Sequence, residues 1–462
     1  MNFTITLPDV SNPFAALWFL FTHGGFIAVV VAFGYGIFWV YMDIIQTRYI
    51  NNTKYILLAI DVPRENEQTP KAVEHIFSHL HGLHKKPNAW EKYRDGYVQP
   101  TVTLELISVG GFIQYLMRCP EANRDLIEAS IYAQYPNAEI SEVEDYAKNI
   151  KAVFPNDEYD IWGCEFALTN KEAYPIRTYP LWEHSLTQTF LDPMASILEI
   201  MGRMQPEEQM WFQWVLTPII DDAWRKRGLT LINKLIGARA KKGSPGLQSL
   251  ASAPGQLAIG TYETLTRTLF EPGQTSSRNN DNDPPSMMLH LPPNVRATVE
   301  AVGMKISKLG FETKFRGIYL GKKGVFSKAR IPGMIGAMKQ FSTLDMNGFK
   351  PDKVMKTTRD YFFVERKLNI IKRRLMLGYK YRSHWSGHAK YVLNIEELAS
   401  LWHFPVITVK APQVKKTDAK RGEPPVALPV GDEIDYVPKE RTGPAVETAP
   451  TVGQAPSNLP IG

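Results

Sequence analysis

From Phe14 to Met42 the chain carries no Asp, Glu, Lys or Arg, reading FAALWFLFTHGGFIAVVVAFGYGIFWVYM. A helix needs about 20 apolar residues to cross the hydrocarbon core of a bilayer, so this run is long enough to span one with tilt. His23-Gly24-Gly25 is expected to break it, leaving an interfacial piece over 14–22 and a spanning helix over 26–46. Phe26, Val30, Phe33, Ile37 and Trp39 are the expected anchor side chains, and Trp18, Trp39 and Tyr41 suit the two interfaces. A cleaved signal peptide fits less well, because no positive region precedes the run and no A-x-A-like site follows it. Asp9 is the only charged side chain before the run, whereas Arg48 and Lys54 follow closely. Positive charge favours the cytoplasmic side. The expectation is a single-pass protein of the inner (cytoplasmic) membrane, with its N-terminus outside and the bulk of the chain in the cytoplasm.

The whole chain has the composition of a folded protein: 462 residues, 44% hydrophobic and 22% charged, enough for ordinary cores. A formal net charge of +6 is only mildly basic, less than a dedicated nucleic-acid protein carries. Cys119 and Cys164 offer neither a disulfide framework nor a CxxC motif.

Hydrophobic periodicity gives the order of elements. "KYILLAIDV" (54–62) reads as a buried strand, and Thr69-Pro70 opens a helix through about Leu83. "QPTVTLELISV" (99–109) and "FIQYLMRC" form a hairpin across Gly110-Gly111. A helix over 120–136 and the strand "AEISEVEDY" complete β-α-β-β-α-β, the split βαβ or ferredoxin-like unit. A second unit starts with "YDIWGCEFALT" (159–169), a helix after Asp192-Pro193, and "EEQMWFQWVLTPI" (207–219). It resumes after an insertion with the helical "NVRATVEAVGMKISKLG" and the strand "FETKFRGIYLG".

The fold class is therefore α+β: an N-terminal transmembrane helix, then two ferredoxin-like (split βαβ) α/β units, the second with a long insertion, and a disordered C-terminal tail. The expected divisions are 1–50, an anchor; 51–150, the first domain; 151–410, the second, with its insertion at about 220–290; and 411–462, a Pro-rich tail. Within the insertion, 221–243 reads as a basic amphipathic helix, with Arg225, Lys226, Arg227, Lys234, Arg239, Lys241 and Lys242. Residues 244–286 are rich in Ser, Gly, Pro and Asn.

Candidate chemistry is sparse. His75, His79, His81 and His84 crowd "VEHIFSHLHGLHKK". Val73, Ile76, Phe77, Leu80 and Leu83 form a normal core stripe, which leaves His75 and His79 on the opposite side at i, i+4. The pair has the spacing to share a metal, but a zinc site needs three or four ligands. A polar face that happens to use histidine is the plainer account. "HWSGH" (384–388) repeats the spacing in what Ser386-Gly387 marks as a loop. "GARAKKGS" and "GKKGVFSK" miss the Gly-Lys-Ser/Thr of a P-loop. No catalytic or cofactor-binding residue is expected, and the chain does not read as an enzyme.

"ERKLNIIKRRLMLGYKYRSHW" (365–385) interleaves Arg366, Lys367, Lys372, Arg373, Arg374, Lys380 and Arg382 with Tyr379, Tyr381 and Trp385. Cations among aromatics suit a nucleic-acid strand and suit anionic lipid headgroups equally. A solvated helix face is the third reading.

"YVLNIEELASLWHFP" (391–405) carries a capping box, Asn394 with Glu397, ahead of Pro405. It resembles a segment just before the motor domain of membrane-anchored TraG- and HerA-like ATPases of type IV secretion and conjugation. "YILLAIDVPRENEQTPKAVEHIFSHLHGLHK", "VTLELISVGGFIQYLMRCP", "DPMASILEIMGRMQPEEQMWFQWVLTP" and "MKQFSTLDMNGFKP" are similar to the same region, so the likeness covers roughly 14–410. In those proteins "P..LPV" leads into the ATPase. Here "PPVALPVGDEIDYVPKERTG" leads into the tail, so no catalytic residue carries over. The resemblance implies a membrane-anchored, non-catalytic assembly component. Its expected partners are the membrane, a separately encoded ATPase or other secretion-system subunits, a second copy of the chain as a homo-oligomer, and, on the alternative reading, single-stranded nucleic acid. No cofactor is expected.

Overall fold

A computed structural model describes Phe14 and residues 18–19, 21–63, 66–182, 191–220, 222–237, 291–358 and 363–406. The expected tail over 411–462 and the Ser/Gly/Pro/Asn-rich stretch over 244–286 lie outside these residues.

The apolar run does not break at His23-Gly24-Gly25. A π-helical turn, Phe21–Gly25, winds directly into α1, Phe26–Asn52. This is one helix long and apolar enough to cross a membrane. At about 1.5 Å per residue it is some 40 Å long. Only Met42 along it is buried, while Phe26, Val30, Phe33, Ile37 and Trp39 are all exposed. The Thr53 backbone N–H closes the helix on the carbonyls of Tyr49 and Ile50, and the first strand begins at Tyr55.

The first set of elements runs β1 (Tyr55–Asp61), α2 (Pro70–His81), α3 (Ala89–Tyr93), β2 (Val102–Val109), β3 (Phe112–Pro120), α4 (Arg124–Tyr132) and β4 (Glu139–Glu142). Gly110 and Gly111, at φ 57° and 91°, make the β2–β3 hairpin turn that only positive-φ residues favour. The second set is β5 (Tyr159–Leu168), α5 (Met194–Gly202), β6 (Glu208–Ile219), α6 (Ala223–Ile236), α7 (Pro293–Ser307), β7 (Gly310–Lys322), α8 (Arg330–Lys339) and β8 (Phe349–Lys356). The chain then adds α9 (Val364–Lys380), β9 (Tyr391–Asn394) and α10 (Ile395–Leu401).

Among the described residues, all nine strands join one antiparallel sheet in the order β4-β1-β3-β2-β6-β7-β5-β8, with β9 paired to the start of β7. Residue 150 separates the two sets of strands in sequence. In space β2 pairs with β6 from Val102↔Leu216 to Val109↔Gln209, so the sheet runs on without interruption. Read outward from that seam, the second half repeats the strand order of the first.

The second half is threaded differently from the sequence expectation. The strand at 310–322 is not the last of its unit. It is the third, lying against β6 from Glu208↔Gly321 to Ile219↔Gly310. The roles expected of the helix over 294–310 and the strand over 311–321 are filled by α8 and β8 instead. Helices α6 and α7 are an excursion between the arms of the β6–β7 hairpin, and they pack on each other. Gly228 of α6 lies so close to α7 that a Cβ would come within 2.5 Å of Ile306 Cγ2. The expected basic helix therefore stops at Ile236, and Gly237 terminates it in the left-handed conformation at φ 77°. Arg239, Lys241 and Lys242 lie outside the described residues.

One face of the sheet carries the main core with helices α2, α5, α8 and α10, where Trp214 stacks on Phe315 at 4.7 Å. The other face presents Leu57, Ile107, Leu116, Ile161, Trp211 and Ile318 to Leu375, Met376 and Tyr379 of α9. Cys119 and Cys164 are free thiols buried in β3 and β5. Burial pushes the Cys119 thiol up to about 12.

Candidate functional site

Four adjacent strands each contribute one residue to a buried polar row: Glu105 on β2, Gln213 on β6, Arg316 on β7 and Glu165 on β5. Strand register aligns them, with Glu105↔Gln213, Gln213↔Arg316 and Glu165↔Arg316 as direct neighbours. The Gln213 amide donates to Glu105 Oε1 at 2.9 Å, Arg316 Nη1 donates to Gln213 Oε1 at 3.2 Å, and Arg316 Nε donates to Glu165 Oε1 at 2.9 Å. Charges this deep are tolerated only when paired and fully hydrogen-bonded.

The segment after α9 completes the pairing. Arg382 Nε donates to Glu105 Oε1 at 2.9 Å, and its guanidinium also grips Asp145. These contacts hold Arg382 at φ 48°, a region a long side chain rarely occupies. The Tyr146 hydroxyl donates to Glu105 Oε2 at 2.9 Å and lies 2.7 Å from the Tyr379 hydroxyl. Burial alone would raise the Asp145 carboxyl, but the Arg382 hydrogen bonds and charge hold it below the ordinary range. Burial is also the chief reason the Tyr146 and Tyr379 phenols are raised well above theirs.

Above this row lies a surface depression on α9. It is a cleft of about 340 Å³ lined by Ile370, Arg373, Arg374, Leu377 and Ser386. Its wall is tied to the buried row, because Arg316 Nη2 donates to the carbonyls of Ser383 and Ser386, and Lys314 Nζ also donates to Ser386. Gly387, at φ 98°, passes so close to Glu165 that any Cβ would collide with the carboxylate. The exposed Trp385 stands in the same loop with Lys390 Nζ 4.3 Å from its ring centre. Burial pushes the Lys314 ammonium down to about 8.

The basic stretch expected to contact lipid or nucleic acid is thus divided by the fold. Arg366, Arg373 and Arg374 are exposed. Tyr379 and Arg382 are not available, since both are buried among the sheet partners just named. Lys372 pairs with Asp160, and Lys380 Nζ donates to the carbonyls of Lys148 and Ile150 at 3.1 and 2.7 Å. His75 and His79 lie exposed on the outer side of α2, as their spacing predicts. His384 instead meets Glu312 at 3.4 Å and His388 meets Asp352 at 3.1 Å. Among the described residues no group of three or more His, Cys, Asp or Glu side chains is placed to hold a metal.

Glu312 yields a pH test. The His384 hydrogen bond is the largest influence on its carboxyl; with Lys390, it outweighs burial and brings the group down to about 2 from an ordinary 4.5. A carboxyl depressed in the fold stabilises it above the unfolded value, and that contribution is lost as pH falls through 4.5 towards 2. Urea midpoints taken at neutral pH and near pH 3 are expected to differ less in Glu312→Gln than in the unmodified chain. An equal acid loss in both would remove Glu312 from the account.

Sequence reasoning missed Glu105, Gln213, Arg316 and Glu165, although each stands out in its strand: "TLELI", "WFQWV", "KFRGI" and "GCEFA". It also missed His403, whose Nε2 bonds Asp192 Oδ1 at 2.9 Å inside the core, and Lys305, buried against Glu397. No curated protein matches the chain. A family model described as Domain of unknown function (DUF8128) matches residues 51–417, from the end of α1 through every sheet strand, and the chain belongs to that family.

Proposed function

We propose that the chain is a single-pass, membrane-anchored, non-catalytic docking component of a type IV secretion or conjugation-like machine. It holds a separately encoded ATPase, or other subunits of that machine, at the cytoplasmic face of the inner membrane. The observation that carries this reading is the join between α1 and β1. Thr53 and Lys54 alone separate an exposed apolar helix from a strand paired on both sides, so the sheet is fixed to its anchor without a linker. The flanking charges, Asp9 before and Arg48 and Lys54 after, support a cytoplasmic sheet.

We also read each half of the sheet as a ferredoxin-like unit. Its β-α-β-β-α-β elements and the orders β4-β1-β3-β2 and β8-β5-β7-β6 support that description. The interior carboxylates favour a structural role over chemistry. Glu105, Glu165 and Glu397 are each held by a buried cation and by further hydrogen bonds. Outer strands β4 and β8 and the cleft on α9 are the surfaces left for a partner, which includes a second copy of the chain.

A second reading keeps single-stranded nucleic acid in view, favoured by Arg373 and Arg374 lining one cleft and by the exposed Trp385 next in sequence to its Ser386. One pair of variants separates the two. Mild-detergent purification from native membranes is expected to bring down a Walker-containing ATPase, and Arg373→Ala with Arg374→Ala is expected to leave single-stranded DNA binding unchanged. Purification with no ATPase or sibling subunit counts against docking. A salt-sensitive DNA isotherm that the variants weaken replaces it with the second reading.

A further inference from the structure

Residues 85–97 connect α2 to β2 and are held together around the short helix α3. Asn88 and Glu91 form a capping box at α3, with bonds of 3.0 and 2.8 Å. Gln99 clamps the two ends, accepting from Lys85 N–H at 3.0 Å and from the Tyr97 hydroxyl at 3.2 Å.

That block lies against the apolar helix. The Tyr41 hydroxyl donates to the Tyr93 carbonyl at 3.2 Å, the Phe38 and Tyr93 rings are 6.1 Å apart, and the Tyr49 and Tyr97 rings 5.3 Å apart. Gly96, at φ 69°, touches the helix backbone itself, where a Cβ would lie 2.5 Å from the Ile45 carbonyl carbon. Phe38, Tyr41, Ile45 and Tyr49 fall at helical spacing on one side of α1. Phe38 also lies about 7 Å further into the apolar run than Asp43, its first charged residue, at 1.5 Å per residue.

The outer side of the block is exposed and of mixed character. Trp90 is 66% exposed and Tyr93 47%. Arg94 stands over the Trp90 ring at 5.2 Å and Lys92 over the Tyr93 ring at 5.3 Å, with Lys86 also exposed. Amphipathic aromatic rings with cations beside them are what the boundary between headgroups and acyl chains selects.

We propose that residues 85–97 form a lipid-binding collar. Trp90 and Tyr93 enter the headgroup boundary of the leaflet nearest the sheet, and Lys86, Lys92 and Arg94 take anionic phospholipid headgroups. The proposal rests on α1 crossing the bilayer. Given that, the collar fixes the tilt of α1 and its attached sheet together against the membrane, which a single span leaves variable.

The test uses the full chain in vesicles, with one thiol-reactive fluorophore at Trp90→Cys, Trp39→Cys or Leu344→Cys. Cys119 and Cys164 are buried, so labelling is confined to the introduced thiol. A phospholipid carrying a nitroxide high on its acyl chain is expected to quench the labels at 90 and 39 and spare the one at 344. Phosphatidylglycerol is expected to deepen quenching at 90 over phosphatidylcholine alone, and Lys86→Glu, Lys92→Glu and Arg94→Glu together are expected to abolish that gain. Quenching at 39 but not at 90 overturns the collar and leaves the span standing. Quenching at neither site overturns the span and the collar with it. Equal quenching at 90 in the two lipids overturns the headgroup assignment.

Discussion

Replacing Arg316 by Met is expected to cost about 3–5 kcal/mol, a large share of the stability of an ordinary domain. The guanidinium is fully buried and donates to Gln213, Glu165 and two backbone carbonyls. Its loss leaves the Glu165 carboxylate in the interior with Lys314, 3.9 Å away, as the remaining cation. Urea unfolding of the detergent-solubilised chain, followed by the fluorescence of the buried Trp211 and Trp214, measures the change. Arg316→Met with Glu165→Leu removes both charges and is expected to recover part of the loss, because an apolar pair has no desolvation to repay. A single variant as stable as the parent would show that the polar row contributes nothing to holding the halves together.

The second large effect is expected at Glu397. Its Oε2 accepts from Asn394 N–H at 2.9 Å to complete a capping box. Its Oε1 accepts from Ile176 N–H at 2.9 Å and from Lys305 Nζ at 3.0 Å. Glu397→Gln preserves the shape but removes the charge facing a fully buried ammonium, a loss of about 3–5 kcal/mol for a broken buried pair. An exposed capping residue would cost only about 1 kcal/mol. A measured loss near the smaller figure would mean that the box matters and the Lys305 pair does not. Lys305→Met with Glu397→Gln is expected to be more stable than Glu397→Gln alone.

Local signals carried the first half of the fold well. Thr69-Pro70, Gly110-Gly111 and the alternation of residues 102–109 describe interactions within a few positions, and each fell where the sequence placed it. The capping box at Asn394 was equally plain. What escaped depends on distance along the chain. Nothing local tells that β7 returns to β6 across the α6–α7 excursion, since a strand's letters do not name its partner. Glu397 reads as a cap, and its pairing with Lys305, 92 residues away, is written nowhere near it.

The error over Tyr379 and Arg382 was of another kind. Composition groups these residues, whereas helical periodicity separates them. Leu368, Ile371, Leu375 and Tyr379 recur at helical spacing in the same stretch, and that stripe puts Tyr379 inside. The exposed remainder, Arg366, Lys367, Arg373 and Arg374 with Tyr381 and Trp385, is what periodicity leaves for a partner.

The seam between β2 and β6 also sets an order of events during synthesis. The first half leaves the ribosome with β2 as an open edge, and Glu105 in the middle of it. Gln213 on β6, the strand that covers this edge, follows 108 residues later, about 5–20 s at ordinary elongation rates, and the cation Arg382 comes 277 residues after Glu105. Until β6 arrives, the carboxylate that Arg382 has yet to neutralise is expected to discourage a foreign strand from adding to the edge, as inward-pointing charges on edge strands do. The residue that looks misplaced in the finished sheet is then a guard on the nascent one, and it becomes a structural anchor only once the chain is complete.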